Sequence, residues 1–197
     1  MKKLHIIVLV LFIGQSFISS CGYNDMVSKR ETVDKQWGNV QSAYQRRADL
    51  IPNLVSTVKG EAKFEQETLT QIVNARASAT SMTIDPSKAT PEQMMKYQEA
   101  QGQLGMALGR LMQITENYPT LQANQSFREL RDQLEGTENR INVERNKYND
   151  MAGDYNAFIR QIPQNIFAGW FGFTAKTYFE ADKSAATAPK VDFGASK

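Results

Sequence analysis

The fold class is decided by residues 127–162, FRELRDQLEGTENRINVERNKYNDMAGDYNAFIRQI. From Phe127 to Ile162 the apolar residues recur mostly at intervals of three, four or seven. A mean spacing of about 3.5 residues is typical of helices that pack almost parallel to one another. The stretch therefore predicts one long helix with a single apolar stripe, which other helices must cover.

Two earlier segments have the same spacing and predict the helices that cover this stripe. No clean alternating run and no two-residue hairpin turn occurs between Val27 and Thr83, so strands are not expected there. The chain therefore reads as an all-α fold from about Asn24 to Ile162. The apolar positions of the two segments are Val33, Trp37, Val40, Tyr44, Ile51, Leu54 and Val58, and then Met94, Tyr97, Leu104, Leu108, Leu111 and Tyr118.

Prolines and capping residues divide the helices. Asp85-Pro86 predicts a break, and residues 90–93, Thr-Pro-Glu-Gln, predict a helix start with a capping box. Pro119 ends that helix, Ser126-Phe127-Arg128-Glu129 predicts a second capping box, and Pro163 ends the last long helix. Because the connections are short, neighbouring helices are expected to be antiparallel.

Pro52 is ambiguous within RRADLIPNLVSTVKG, residues 46–60. A proline inside a helix costs about 3 kcal/mol and kinks or breaks it, and Asp49 could cap a new helix. The apolar stripe nevertheless keeps its phase from Tyr44 through Ile51 to Val58. A kink in one helix and a turn between two helices both fit the pattern.

The N-terminus has the layout of a bacterial lipoprotein leader. Lys2 and Lys3 precede a ten-residue run, LHIIVLVLFI, that is apolar except for one histidine. The run is followed by Ile18-Ser19-Ser20-Cys21, which resembles a lipobox. We therefore predict a signal peptide over residues 1–20, cleavage between Ser20 and Cys21, and palmitate-type acyl chains on Cys21.

Two other interpretations of this segment remain. It could be an uncleaved anchor, although a membrane span needs about 20 apolar residues, or the cysteine could lie near an ordinary signal site by chance. Gly22, in place of an acidic residue, permits transport to the outer membrane. The expected location is the extracytoplasmic side, facing the periplasm.

Composition limits the classes of partner. Without Lys2 and Lys3 the chain has 21 basic and 21 acidic residues, so no nucleic-acid partner is expected. Residues 21–181 are predicted to form one helical domain. Residues 182–197, DKSAATAPKVDFGASK, are small and polar and are predicted to form a disordered tail.

No catalytic or metal-binding pattern is present in the sequence. The one histidine, His5, lies in the predicted leader, and the one cysteine is the predicted acylation site. Zinc, haem and di-iron sites are therefore not expected. There is no glycine-rich phosphate loop. We predict no cofactor, no metal and no enzymatic activity.

Polar residues on the apolar stripes are the main candidates for a site. The spacing predicts core positions near 138 and 145, which hold Glu138 and Arg145, and Arg47 occupies such a position in the first segment. A buried charge must be paired, so Glu138 is expected to meet Arg47 or Arg145. The predicted network, Arg47, Glu138, Asn142, Arg145 and Asn149, either fixes helix register or lines a binding groove.

Three glycines, Gly102, Gly105 and Gly109, lie within one predicted helix. Each costs about 1 kcal/mol relative to alanine. Close approach of a neighbouring helix is the expected reason, with flexibility or an oligomer contact as the alternative.

An aromatic segment follows the last long helix, over Ile162–Phe173. It could cap the end of the helices or present a surface to a partner or to lipid. The candidate contact residues are Trp170, Phe171 and Phe173.

These residues together resemble the LemA family of bacterial membrane-associated proteins, over roughly residues 22–180. The motifs that carry the resemblance are Tyr23-Asn24-Asp25, Trp37, Arg46-Arg47-Ala48-Asp49-Leu50-Ile51-Pro52-Asn53-Leu54-Val55, Glu116-Asn117-Tyr118-Pro119, Glu138-Asn139-Arg140-Ile141, Tyr148-Asn149 and Tyr155-Asn156.

The resemblance implies an antiparallel up-and-down four-helix bundle with long helices, and it favours a break or sharp kink at Pro52. Family members typically carry a transmembrane anchor, which the Cys21 lipobox replaces in this chain. The family has no established enzymatic activity. Some members occur beside membrane proteases, so an envelope protein of that kind is one expected partner.

The function expected from the sequence is a membrane-anchored, non-enzymatic interaction or scaffold module of the cell envelope. The alternative is an accessory subunit or enzyme that uses the polar cluster inside the bundle. Neither the identity of the partner nor the oligomeric state follows from the sequence.

Overall fold

A computed structural model describes the backbone of residues 2–61, 64–86 and 88–180, and within these ranges the side chains from residue 22 onward. All regular secondary structure of the described chain is helical, and this part of the chain has no strand, as the spacing predicts. Its six helices are α1 (Lys2–Lys59), α2 (Gln66–Ser81), α3 (Pro91–Thr115), α4 (Pro119–Ala123), α5 (Gln125–Arg160) and α6 (Gln164–Phe171).

The longest interface is the one between α1 and α5. Contacts join early α1 residues to late α5 residues: Lys29 lies over the Phe158 ring, and Arg46 hydrogen-bonds Gln133 near the other end. The two helices are therefore antiparallel. α2 and α3 pack together on α1, where Arg76 of α2 reaches Ala48 and Tyr97 of α3 contacts Trp37.

Of the two structures that the sequence allows at Pro52, a turn between two helices is excluded, because α1 continues through this residue to Lys59. Proline lacks an N–H, so the carbonyl of Ala48, four residues earlier, loses its helical partner. Arg76 of α2 replaces that partner by donating from Nε to the Ala48 oxygen at 2.8 Å. A side chain from the next helix thus satisfies the carbonyl that Pro52 frees, and α1 ends only at Lys59.

The predicted cap of α3 is confirmed, and that of α5 is corrected. Thr90 accepts from the Gln93 N–H, and the Gln93 side chain accepts from the Thr90 N–H. The N-cap of α5 lies two residues before the predicted one, at Asn124, whose side chain accepts from the Phe127 N–H. Asn124 can do this because an amide oxygen suits the N-cap position as well as a hydroxyl does.

The core divides along the length of α1. One cluster surrounds Trp37, Tyr148 and Tyr155, and joins α1, α5 and the start of α3 to α6 and the segment after it. The other surrounds Leu54, Leu104 and Phe127, at the end where α2 and α4 pack. The first cluster contains the polar contacts and the aromatic segment discussed next.

The glycines of α3 do not mark a close helix approach. A Cβ added at Gly102 or Gly109 would meet no atom within 4 Å, and one at Gly105 would meet only the Arg47 guanidinium, at 3.6 Å. The expected packing reason is therefore wrong at Gly102 and Gly109, which face outward.

Candidate functional site

Arg47 connects the four long helices through hydrogen bonds. Its buried guanidinium donates to Glu138 Oε2 at 2.7 Å, and to the backbone and side-chain oxygens of Gln101 at 3.0 and 2.9 Å. Gln101 in turn donates to the Ala79 carbonyl of α2. α5, α1, α3 and α2 are thus joined in one chain of contacts that fixes their relative register. Of the two arginines expected as partners of Glu138, the structure brings Arg47 to it.

A second polar cluster lies on the α1–α5 interface at Gln36 and Glu144. The buried Gln36 amide donates to Glu144 Oε2 at 2.7 Å and to the Glu144 carbonyl at 3.1 Å. The Lys147 ammonium lies 3.5 Å from the other carboxylate oxygen. The hydrogen bond from Gln36, helped by the charge of Lys147, holds the pKa of Glu144 below its ordinary value of 4.5. The carboxylate is therefore ionised and partnered at neutral pH.

The chain turns back after α6 and runs along α5 over residues 173–180, called here the C-terminal strap. The turn is made at Gly172, whose φ of 71° lies in the left-handed region that favours glycine. The strap has no regular secondary structure, but Phe173, Lys176 and Phe179 are buried. Every third strap residue thus faces the helices.

Two asparagines of α5 hold the strap by its backbone. Asn156 donates to the Lys176 carbonyl at 2.9 Å and accepts from the Lys176 N–H at 2.7 Å. Asn149 makes the same pair of bonds to Phe179, at 2.9 and 2.8 Å. A carboxamide presents one acceptor and a donor group side by side, so it can pair with a peptide backbone as a neighbouring strand would.

The spacing of these asparagines matches the spacing of the strap. Seven residues of α-helix rise about 10.5 Å, and three extended residues span about 10 Å. Asn149 and Asn156, seven apart, can therefore meet Phe179 and Lys176, three apart, without distorting either element. The heptad interval in α5 is thus the sequence feature that fits the strap.

Side-chain contacts complete the attachment of the strap. The buried Lys176 ammonium lies 2.6 Å from Asp34 Oδ1 of α1. The Phe179 ring stacks on Trp37, with ring centroids 5.5 Å apart. Arg145 donates to the Glu180 carbonyl at 2.9 Å. The strap is therefore joined to α1 and α5 by charge, ring and backbone contacts.

The structure separates the five residues of the predicted polar network. Arg47 and Glu138 form one pair, whereas Arg145 and Asn149 bind the strap. Asn142 is exposed on α5. The expected core positions 138 and 145 are wrong: the buried residues lie one position earlier, at Thr137 and Glu144. The cause is that a stripe stepping by three or four residues can pass through either of two adjacent positions.

The sequence reasoning missed several residues that the structure brings to these clusters. Gln36, Gln101 and Lys176 are buried polar side chains, and the spacing of apolar residues does not predict them. One sequence signal for the strap contacts is present, because asparagine recurs at intervals of seven residues in α5, at Asn142, Asn149 and Asn156.

The aromatic segment is divided between core and surface. Phe173 is only 7% exposed, so its assignment as a partner-contact residue is wrong: the turn at Gly172 points the chain back into the first core cluster. Trp170 and Phe171 are 77% and 57% exposed. Phe171 contacts the Tyr23 ring, with centroids 5.0 Å apart.

One cavity of the described residues is lined by no residue of the predicted polar network. It is a shallow cleft of about 350 Å³ between Asn53, Ser56 and Thr57 of α1 and Ser126, Glu129 and Gln133 of α5. No group of three or more potential metal ligands occurs among the described side chains. In the same part of the chain, no helix is both long and apolar enough to cross a membrane. The side chains of Ser20 and Cys21 lie outside the described residues, as does the predicted tail.

Comparison with known sequences assigns the chain to a family. The LemA family profile matches residues 36–193. The chain therefore belongs to the LemA family, which confirms the resemblance noted in its motifs.

Named relatives include two magnetosome proteins. The magnetosome protein MamQ 2 of Paramagnetospirillum magneticum is 30% identical over 190 residues, which cover 86% of this chain and 68% of the relative. The magnetosome protein MamQ of Magnetospirillum gryphiswaldense is 29% identical over 97% of this chain and 75% of its own length. Protein LemA of Metamycoplasma hominis is 24% identical over 85% of this chain and 73% of its own length. None of these names states an enzymatic activity.

Proposed function

We propose that this protein is a membrane-tethered, non-enzymatic interaction module of the cell envelope, anchored by acyl chains on Cys21. In this proposal α1, α2, α3 and α5 form an up-and-down four-helix bundle on the extracytoplasmic side. Residues 1–20 are removed as a leader, and Gly22 permits sorting to the outer membrane. Partner proteins, of which a membrane protease is one candidate, bind the exposed surface.

The observation that carries this proposal is the use of the buried polar side chains. Arg47, Glu144 and Asn156 are each hydrogen-bonded to other parts of the same chain. Groups that are paired in this way fix register and hold the strap, and are not presented to a substrate. The alternative, an enzyme or accessory subunit acting through Glu138, Arg145 and Asn149, loses support because each of these residues already has a partner.

The relatives support an envelope or membrane setting without defining the task. MamQ proteins are named for the magnetosome, and that association belongs to them. What this chain shares with them is LemA-family sequence, and the lipid tether at Cys21 is proposed for this chain alone.

The tether is tested by comparing the wild type with Cys21→Ala in membrane fractionation after a high-salt wash. We expect the wild-type protein in the membrane fraction, carrying acyl mass, and the variant without acyl mass and largely released. Ser19→Ala is the matched control, because a small residue at that position is expected to leave acylation intact. Release of neither variant, with no acyl mass on the wild type, would contradict the proposal.

Partners are tested by cross-linking in intact envelopes followed by purification of the anchored protein. A non-enzymatic module is expected to yield protein adducts. Replacement of Glu138 by Gln should not change the adducts, because this carboxylate serves only Arg47 in the proposal. Loss of the adducts in Glu138→Gln, with unchanged helicity, would favour the polar cluster as a functional site.

A further inference from the structure

The segment around α6 has an unusually apolar exposed surface. No ionisable side chain occurs in residues 161–175. Ile162, Ile166 and Trp170 are 83%, 52% and 77% exposed. Ile166 and Trp170 are four residues apart in α6 and therefore lie on the same side of that helix, and Ile162 lies two residues before the helix begins. Together with the exposed Phe171, they form what we call the α6 face.

The α6 face lies beside the first residues after Cys21. A Cβ atom added at Gly22 would lie 3.8 Å from Cγ of Gln164, the first residue of α6. The Tyr23 ring contacts Phe171 and also Phe173, at centroid distances of 5.0 and 5.7 Å. Consecutive Cα atoms are about 3.8 Å apart, so the backbone of Cys21, the proposed attachment residue, lies next to the contact between Gly22 and α6.

We propose that the α6 face rests in the interface of the lipid bilayer, between headgroups and acyl chains. This inference rests on the proposed function, since the acyl chains on Cys21 bring the bilayer to this end of the molecule. Tryptophan and tyrosine are enriched at the membrane interface because their rings have an apolar body and a polar group. Trp170 and Tyr23 each supply an apolar ring and a polar group at the end of the protein that meets the membrane in this proposal.

A second protein copy fits the α6 face less well than a bilayer does. Its four side chains expose roughly 500 Å², given that a large aromatic contributes about 150–250 Å². A stable protein interface needs about 800 Å² from each partner. A bilayer has no such requirement, because the acyl anchor supplies the affinity and α6 only sets the orientation of the protein.

The two tryptophans of the chain make a direct test possible. Trp170 is on the α6 face, whereas Trp37 is buried in the core. The full-length protein is reconstituted in vesicles of phosphatidylethanolamine and phosphatidylglycerol whose acyl chains carry bromine, which quenches nearby indoles. Trp170→Phe isolates the emission of Trp37, and subtraction from the wild type gives that of Trp170.

We expect about a twofold loss of Trp170 emission and almost none for Trp37, because an interfacial helix lies about 5–10 Å into the headgroup region. Ile166→Asn should relieve the quenching. Met106→Asn, which changes a similarly exposed apolar residue on α3, should not.

Two outcomes would overturn the inference while leaving the anchor intact. In one, the protein floats with the vesicles but Trp170 is not quenched by bromine and is quenched by aqueous iodide. In the other, Trp170 is protected from both quenchers and the protein runs as a dimer, so that a second copy covers the face. Failure of the wild-type protein to float would overturn both the inference and the proposed anchor.

Discussion

Asn156 should contribute more to stability than any comparable asparagine on α5. Its carboxamide makes two hydrogen bonds to the backbone of Lys176, and both residues are buried. Replacing it by alanine removes both bonds and leaves a buried peptide N–H and C=O of the strap without partners. The perturbation therefore acts on the attachment of the strap and does not change the helix itself, since alanine favours helix.

The magnitude follows from the two bonds. Each intramolecular hydrogen bond contributes about 1 kcal/mol net, which gives about 2 kcal/mol, and the unpaired groups left at Lys176 raise the cost to about 3 kcal/mol. With a urea dependence of about 2 kcal/mol per M, the unfolding midpoint should fall by roughly 1–1.5 M.

The assay is urea unfolding followed by circular dichroism and tryptophan fluorescence. Fluorescence adds a local reading, because Phe179 of the strap stacks on Trp37. In Asn156→Ala we expect the emission to shift to longer wavelength before the helical signal is lost, since release of the strap exposes Trp37 while α5 stays folded.

Asn142→Ala is the matched control. It changes the same residue type on the same helix, two heptads earlier, at an exposed position. Its effect should stay within about 0.5 kcal/mol, as is usual for surface substitutions. Equal midpoints for the two variants, or a cost below about 0.5 kcal/mol for Asn156→Ala, would refute the role assigned to the asparagine pairs.

Three further predictions concern the helices. Arg76→Met should destabilise the protein by about 1–3 kcal/mol, because the buried carbonyl of Ala48 loses its partner. In a Pro52→Ala background the cost should be clearly smaller, because the backbone N–H at position 52 returns. Equal costs in a double-mutant cycle would refute the idea that Arg76 compensates for Pro52. Gly109→Ala should stabilise the protein by up to about 1 kcal/mol in thermal unfolding, and a loss of stability would show a contact at this position. Because Gln36 keeps the folded-state pKa of Glu144 below its ordinary value of 4.5, the stability that this bond contributes is present above pH 4.5 and is lost as the pH falls through the folded-state pKa. Glu144→Gln should therefore flatten the dependence of the urea midpoint on pH below 4.5, and an unchanged slope would contradict this.

Periodicity was sufficient to predict the helices because it reports which side of each helix must leave water. Leu104, Leu111, Ile141 and Tyr148 are buried where the spacing places them. The same pattern could not distinguish position 137 from 138, because both lie within one turn of the apolar stripe. The family membership and the all-helical fold were therefore accessible from sequence, whereas the phase of the polar residues was not.

The strap and the continuity of α1 could not be predicted from local signals. Residues 173–180 have no helical or alternating pattern, and their attachment depends on asparagines some 20 to 30 positions away. A local rule predicts that Pro52 interrupts its helix, but Arg76, contributed by another helix, satisfies the freed carbonyl. Both features depend on long-range hydrogen bonds, which sequence spacing does not report.

The most direct test of the proposed lipid anchor is intact-mass and N-terminal peptide analysis of the protein isolated from envelope membranes. We expect the mature chain to begin at Cys21 and to carry a diacylglyceryl group, with or without a further amide-linked acyl chain. A chain that retains residues 1–20, or one with an unmodified Cys21 thiol, would contradict the lipid tether and the orientation of α6 that depends on it.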